Sequence, residues 1–295
     1  MRRIGLVPYT RDWSYDFTAI ALQQHLAERF DVRIFYRDTL DRLRSSELDL
    51  VVDFWWKGTL HRRFPGRCVK QVSSHRWEKP RHGRYNAAGL AVAHLRRSLA
   101  ILVPSKRLEA ELAPVSRRPI ELCPKGFHAE TFGDEGRRKG GIVIGWAGNS
   151  HAADKRVDLL LATCPELRMA GPGTAIGKLD QAFMPAFYNT LDVITCASDA
   201  EGDPRPLIEA MACGCFPVVV DVGIVPELVR HGENGLIVER SAQAFAEAFA
   251  WCRANAELVR EAGRRNAEQM RVSRTWAQVS QYWGDAFERA LEARP

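Results

Sequence analysis

Two carboxylates stand eight residues apart in the stretch SDAEGDPRPLIEAMACGCFPVVV, residues 198–220: Glu201 and Glu209. Between them lie Gly202, Asp203, Pro204, Arg205, Pro206 and Leu207, and beyond them a run of small apolar residues leads into a β-branched strand. Pro206 suits the first residue of a helix, because its fixed φ is already helical and its missing N–H has no partner at that position. Glu201 then falls in the loop outside the helix N-terminus, with Glu209 about one turn inside. The backbone N–H groups of residues 204–208 are expected to face the same space and to favour an anion such as a diphosphate. Lys155, close to the start of an earlier helix, supplies a cation of the kind that phosphate loops combine with amides. Donors for phosphates and carboxylates for hydroxyls together describe a pocket for a nucleotide sugar. The competing reading of the same spacing is plainer: one glutamate complements the helix dipole and the other is solvated.

The elements needed to hold these residues alternate as β, α, β. RRIGLVPY reads as a buried strand, residues Phe17 to Arg29 as an amphipathic helix and DVRIFYR as a second strand, the spacing of a parallel sheet covered by helices. DLVVDFWW (49–56) and CVKQVSS (68–74) are further strands, and ligands of open α/β sheets collect at such strand ends. His75 follows one of them directly and is a candidate on that ground. Trp55, Trp56 and Trp77, at neighbouring strand ends, suit either sugar stacking or core packing. NAAGLAVAHLRRS reads as helical, and GDEGRRKGG (133–141), polar with no hydrophobic period, as a linker between domains. GIVIGWAG then restarts the strand pattern. The closing helix places Trp276, Tyr282, Trp283 and Phe287 on one apolar face.

At 295 residues the chain has room for two domains. No apolar run approaches the roughly 18 residues that span a membrane, and the basic N-terminus lacks the apolar stretch of a signal peptide, so a cytoplasmic protein is expected. Seven cysteines with no C-x-x-C are expected to be reduced and mostly buried. Residues 1–125 hold 24 Lys and Arg against 13 Asp and Glu, while the remainder holds 18 against 23. The basic first half suits an anionic surface, including peripheral contact with the inner face of a membrane, or a phosphorylated acceptor; solvated arginines of an Arg-rich composition are the alternative. Gly171, Gly173 and Gly177 space as G-x-G-x-x-x-G with no acidic strand end about twenty residues on, which excludes a dinucleotide fingerprint. No nucleic-acid reader motif is present.

LDVITCASDAEGDPRPLIEAMACGCFPVVV and VGIVPELVRHGENGLIVE resemble, in order and density, the paired motifs of the family-four retaining glycosyltransferases. LAILVPSKRLEAELA and IELCPKGFHAETF resemble that family's first-domain segments, with Lys125 where asparagine is usual. The resemblance implies the GT-B fold: two Rossmann-like α/β domains facing each other across a cleft, here 1–132 on the acceptor side and 133–273 on the nucleotide-sugar side. Residues 274–295 would be a helix crossing back to the first domain. It implies a metal-independent, hexosyltransferase-like enzyme without a cofactor, moving a sugar from a nucleotide diphosphate to a glycan, lipid-linked or small-molecule acceptor.

By the same resemblance His75 and Glu201 contact the donor sugar, Lys155 neutralises the departing diphosphate and Glu209 binds ribose. Gly148, Asn149, Gly202, Asp203, Arg205, Pro206 and Leu207 complete the donor site. Two positions depart from the family's pattern. Asn149 stands where a basic residue is usual, with Arg156 and Arg205 as replacements, and the first loop reads YTRDWSYD instead of carrying Gly-Gly. A non-catalytic nucleotide-sugar-binding protein and a GT-B-type epimerase are the rival functions.

Overall fold

The computed structural model describes residues 1–42, 44, 47–79, 83–136 and 138–293. Arg137 in the expected linker and residues 294–295 of the expected closing helix lie outside them. The chain divides into two units, Met1–Gly126 with Trp276–Pro295, and Phe127–Thr275. The division falls ahead of the expected linker because Phe127 and Phe132 are already buried in the core of the second unit.

The first unit contains β1 (Arg2–Tyr9), α1 (Ser14–His25), β2 (Phe30–Tyr36), β3 (Leu50–Asp53), α2 (Leu60–Arg63), β4 (Cys68–Gln71), α3 (Ala87–Leu90), β5 (Ile101–Val103), α4 (Lys106–Leu112) and β6 (Ile120–Leu122). Its strands pair in parallel in the order β2-β1-β3-β4-β5-β6. Strands covered on both faces read as continuous apolar runs. Ile4, Leu6, Leu50, Val52, Val69 and Leu102 pack towards one side, and Val51, Ile101 and Val103 towards the other.

In the second unit come β7 (Ile144–Ala147), α5 (Val157–Thr163), β8 (Arg168–Ala170), α6 (Met184–Tyr188), β9 (Val193–Cys196), α7 (Arg205–Ala212), β10 (Phe216–Val220), α8 (Val225–Leu228), β11 (Leu236–Val238), α9 (Ala242–Ala254) and α10 (Ala256–Ser273). Its sheet is also parallel, in the order β11-β10-β9-β7-β8.

The last helix, α11 (Trp276–Glu292), completes the first unit. Trp276, Trp283 and Phe287 enter the core with Phe54 and Leu22, and the Trp283 indole donates to Pro124 O at 2.8 Å. Arg289 grips Glu121 with two nitrogens, and Arg29 on the α1 side reaches Asp285 and Glu288. Tyr282 does not share the apolar face: it is 51% exposed. At about 100° per residue, positions 276, 283 and 287 nearly coincide around the helix, whereas 282 lies about 120° away.

The expected helix over NAAGLAVAHLRRS widens after α3 into a π turn at Ala91–Leu95. Lys70, fully buried in β4, donates to Trp56 O, Gly58 O and His94 O at 3.0, 2.7 and 2.9 Å, which uses all three of its N–H groups. Asp53 ends β3 in the same interior, accepting from the Tyr9 hydroxyl at 2.8 Å and the Trp55 amide at 3.2 Å. Burial raises the Asp53 carboxyl to about 6, against the pull of Tyr9, Lys70 and the Trp55 amide. The folded state therefore binds the proton more tightly than the unfolded chain, whose Asp titrates near 3.9. Stability from this group is fully present below about pH 4 and is lost as pH rises through about 6, a swing of about 3 kcal/mol. Urea midpoints from pH 4 to 8 should thus converge on, or fall below, those of Asp53→Asn as pH rises. Parallel profiles for the two proteins would contradict this assignment.

Candidate active site

Every predicted site residue except His75 stands in the second unit, at the C-terminal ends of its strands or on the elements that follow. The chain leaves β9 at Cys196 and runs as a loop to Pro204 before entering α7. The loop is held from below: Ile224 N donates to Gly202 O at 2.7 Å, and a Cβ on Gly223, whose φ is +51°, would come within 2.2 Å of that carbonyl. Arg240 donates to Ala197 O and Ser198 O at 3.2 and 3.1 Å. Glu201 is thus carried on a fixed loop rather than a free one.

Lys155 closes a short 3-10 turn, Ala153–Lys155, before α5, and Arg156 turns the chain with φ +50°. The Lys155 ammonium donates to Glu201 Oε1. Their side chains are 21% and 12% exposed, so the pair borders solvent without being surrounded by it. The structure therefore joins two residues 46 positions apart that sequence spacing alone did not connect.

Glu209, one turn into α7, is only 4% exposed. Its Oε1 accepts from Gln181 Nε2 at 2.8 Å and Arg205 Nη2 at 2.6 Å, and its Oε2 from the Tyr188 hydroxyl at 3.1 Å. Burial, reinforced by the neighbouring Glu209 charge, pushes the Tyr188 phenol well above its ordinary range, so it remains a donor. Two donors occupy Oε1, leaving Oε2 with spare accepting capacity.

The helix N-terminus departs from the expected row of amides. Helix α7 begins at Arg205, so Pro206 is its second residue, and both Pro204 and Pro206 lack an N–H. The amides of Leu207 and Ile208 turn back onto Pro204 O at 3.0 and 3.4 Å. The donor row over residues 204–208 is consequently shorter than the residue range suggested. Asp203 is buried beside it, at 4% exposure.

Gly148 directly follows β7, and its amide donates to Ala170 O at 2.9 Å. Gly171, with φ +131°, meets it so closely that a Cβ there would lie 1.8 Å from Gly148 O. That contact, rather than a dinucleotide, accounts for the first of the three spaced glycines. Asn149 turns its side chain onto its own loop, accepting from His151 N at 3.1 Å. The two arginines considered as substitutes for a basic residue there are both turned to carboxylates. Arg156 meets Asp158 at 3.1 Å and Asp199 at 3.8 Å, and Arg205 meets Glu209 at 2.6 Å.

His75 stands in the first unit, opening a 3-10 turn after β4. Its Nε2 lies 2.5 Å from Glu111 Oε2, and its ring centroid 4.9 Å from that of Trp77. Trp56 and Trp77 are core residues at 2% and 0% exposure, which decides for packing, while Trp55 is half-buried. Sequence reasoning did not single out Gln181, Tyr188, Gly223 or Arg240, which act on the site from separate elements. Only the glycine, in the short turn between β10 and α8, carried a local signal. Among the described residues no three His, Cys, Asp or Glu side chains converge as a metal-holding group.

Two units, each a parallel sheet packed with helices, are the domains of the GT-B fold, and the chain has that fold. Residues 174–269, about a third of the chain, match the family described as glycosyl transferases, group 1. The sequence resemblance is thus met independently in the second unit. No curated protein matches the sequence. Among solved structures, the chain is similar to sucrose-phosphate synthase from Thermosynechococcus elongatus, with TM-score 0.84, 16% identity, and 99% of this chain and 100% of that one covered. It is also similar to Anabaena HepE solved with UDP-glucose, at TM-score 0.77 and 16% identity over 98% of this chain and 100% of that one. A glycosyltransferase from Rickettsia africae follows at TM-score 0.75 and 13% identity, with 99% of each chain covered.

Proposed function

We propose that the protein is a retaining glycosyltransferase whose second unit holds a nucleotide diphosphate sugar and transfers its sugar to a hydroxyl acceptor. The observation that carries this reading is the Lys155–Glu201 bond on a fixed loop, with Glu209 one turn further along on α7. In the free protein Lys155 is balanced by Glu201; an arriving diphosphate offers it a second anion. As the bond from the anomeric carbon to the β-phosphate breaks, negative charge grows where the ammonium can stabilise it. The acceptor oxygen bonds to the same face of that carbon, and its proton passes to a departing diphosphate oxygen, which preserves the anomeric configuration. Glu201 orients the donor sugar in this scheme. Glu209 takes one ribose hydroxyl on Oε2, and the second requires Gln181 or Arg205 to yield its place on Oε1.

Similar folds solved with UDP or UDP-glucose support a nucleotide-sugar donor. No step is assigned to a metal or a cofactor, and cytoplasmic glycan assembly is the setting that fits. Thermal unfolding with UDP, GDP, ADP and their sugars tests the reading. A ligand at 100 times its Kd should add about 2.7 kcal/mol, and Glu209→Ala should abolish that gain. A panel with no stabilising member would refute donor binding altogether. Slow release of nucleoside diphosphate without an acceptor separates an enzyme from a binding protein, and a free altered sugar would instead identify an epimerase.

A further inference from the structure

The first unit carries a second charged feature, at the sheet edge opposite the strand ends where Tyr9, Trp55 and His75 stand. Leu99 N donates to Cys68 O at 2.7 Å and Ile101 N to Pro119 O at 2.9 Å, so the segments entering β4, β5 and β6 lie side by side at that edge. On them sit Arg62, Arg96, Arg97, Arg117 and Arg118, all exposed. Arg118 Nε donates to Arg96 O at 2.9 Å, which ties two of the segments together. Among the described residues none of the five pairs with a carboxylate. Their fields overlap: after burial and Lys70, the charges of Arg62 and Arg97 are what hold the His61 imidazole below its usual range. Some surface arginines elsewhere meet acids, as Arg33 meets Asp31 and Arg264 meets Glu261.

The same segments carry two exposed aliphatic side chains, Val92 at 63% exposure and Val115 at 37%. The large exposed aromatics are Trp13, Phe183, Trp251 and Tyr282, and none belongs to these segments. Single-stranded nucleic acid is normally gripped by rings on which bases stack. An edge of exposed arginines without carboxylate partners, carrying short aliphatic residues on the same segments, complements a phosphate surface backed by hydrocarbon.

We propose that this edge docks the protein on an anionic lipid membrane. The contact is peripheral, since no helix among the described residues is long and apolar enough to cross one. It stands apart from the reading of the second unit, because none of the five arginines belongs to the proposed transfer machinery. Each arginine near such a surface changes partitioning on the order of fivefold, and the attraction decays within a Debye length of about 8–10 Å at ordinary salt.

The test is co-sedimentation of the full chain with vesicles of phosphatidylcholine alone or with 30% phosphatidylserine (about 30 mol%) at about 0.1 M salt. Wild type should pellet with the anionic vesicles only and be released at high salt. Arg62→Ser, Arg97→Ser and Arg117→Ser combined should weaken binding on the order of a hundredfold, with nucleotide-induced thermal stabilisation unchanged. Arg118 is left in place because its side chain donates to the Arg96 main-chain carbonyl and ties two segments together, and Arg96 is kept with it. Equal sedimentation with neutral and anionic vesicles overturns the proposal, as does wild-type binding by the triple variant. Binding of single-stranded DNA, lost in the triple variant, with no vesicle binding would reassign the edge to nucleic acid.

Discussion

Lys155→Ala is expected to slow nucleoside diphosphate release from the donor by roughly two to three orders of magnitude, the usual cost of removing one group that meets charge developing in a transition state. The fold should survive, because the Lys155 and Glu201 side chains are 21% and 12% exposed and solvent can reach the partner left behind. Glu201→Gln keeps the shape of the side chain and removes the charge that positions Lys155. It should lower turnover comparably, while the nucleotide-induced thermal shift governed by Glu209 persists. Initial rates at saturating donor check both variants, with the unfolding midpoint as the control for folding. Turnover at the wild-type rate in either one would remove the central assignment.

Trp283→Ala is expected to carry the largest stability cost of any single change discussed, about 3–5 kcal/mol for emptying a buried aromatic site. The indole is fully buried, stacks at 6.0 Å on Phe54 and donates to Pro124 O at 2.8 Å, so truncation leaves both a cavity and a carbonyl without its partner. Tyr282→Ala, one residue away on the same helix, should change stability by less than about 0.5 kcal/mol. Urea unfolding of the three proteins measures the contrast. Equal losses from the two substitutions would mean that the helix is anchored through some other face.

The alternation of apolar runs with amphipathic stretches made both sheets legible, because parallel strands buried on two faces leave an unbroken apolar signature. Glu201 and Glu209 were legible for a related reason: they flank a helix start marked by prolines. What Glu209 touches was not, since Gln181 and Tyr188 lie 28 and 21 residues upstream on other elements and no period connects them. The bond between Lys155 and Glu201 was hidden in the same way, being a product of strand order rather than of spacing.

The amide row at α7 was overestimated by counting positions instead of donors, two of which are prolines. Gly171 carried a visible signal with two explanations, a ligand or another backbone. The carbonyl of Gly148 decided between them. Tyr282 was placed on the apolar face through its hydrophobic type, although its angle around the helix already argued against it. The π turn at Ala91–Leu95 had no sequence mark, for it accompanies a buried lysine, Lys70, whose need for carbonyl partners arises only after β4 is in place.

Because α11 belongs to the first unit, the domain synthesised first is the last to be completed. Residues 1–126 leave the ribosome with the face formed by Leu22, Phe54 and Val69 still lacking Trp276, Trp283 and Phe287. At ordinary elongation rates that face waits on the order of ten seconds while the whole of the second unit is made. The second unit, continuous from Phe127 to Thr275, can close its core in that interval. A chain that stopped after Thr275 would therefore pair a finished second unit with an open first one, presenting to the cell an apolar surface that α11 otherwise buries.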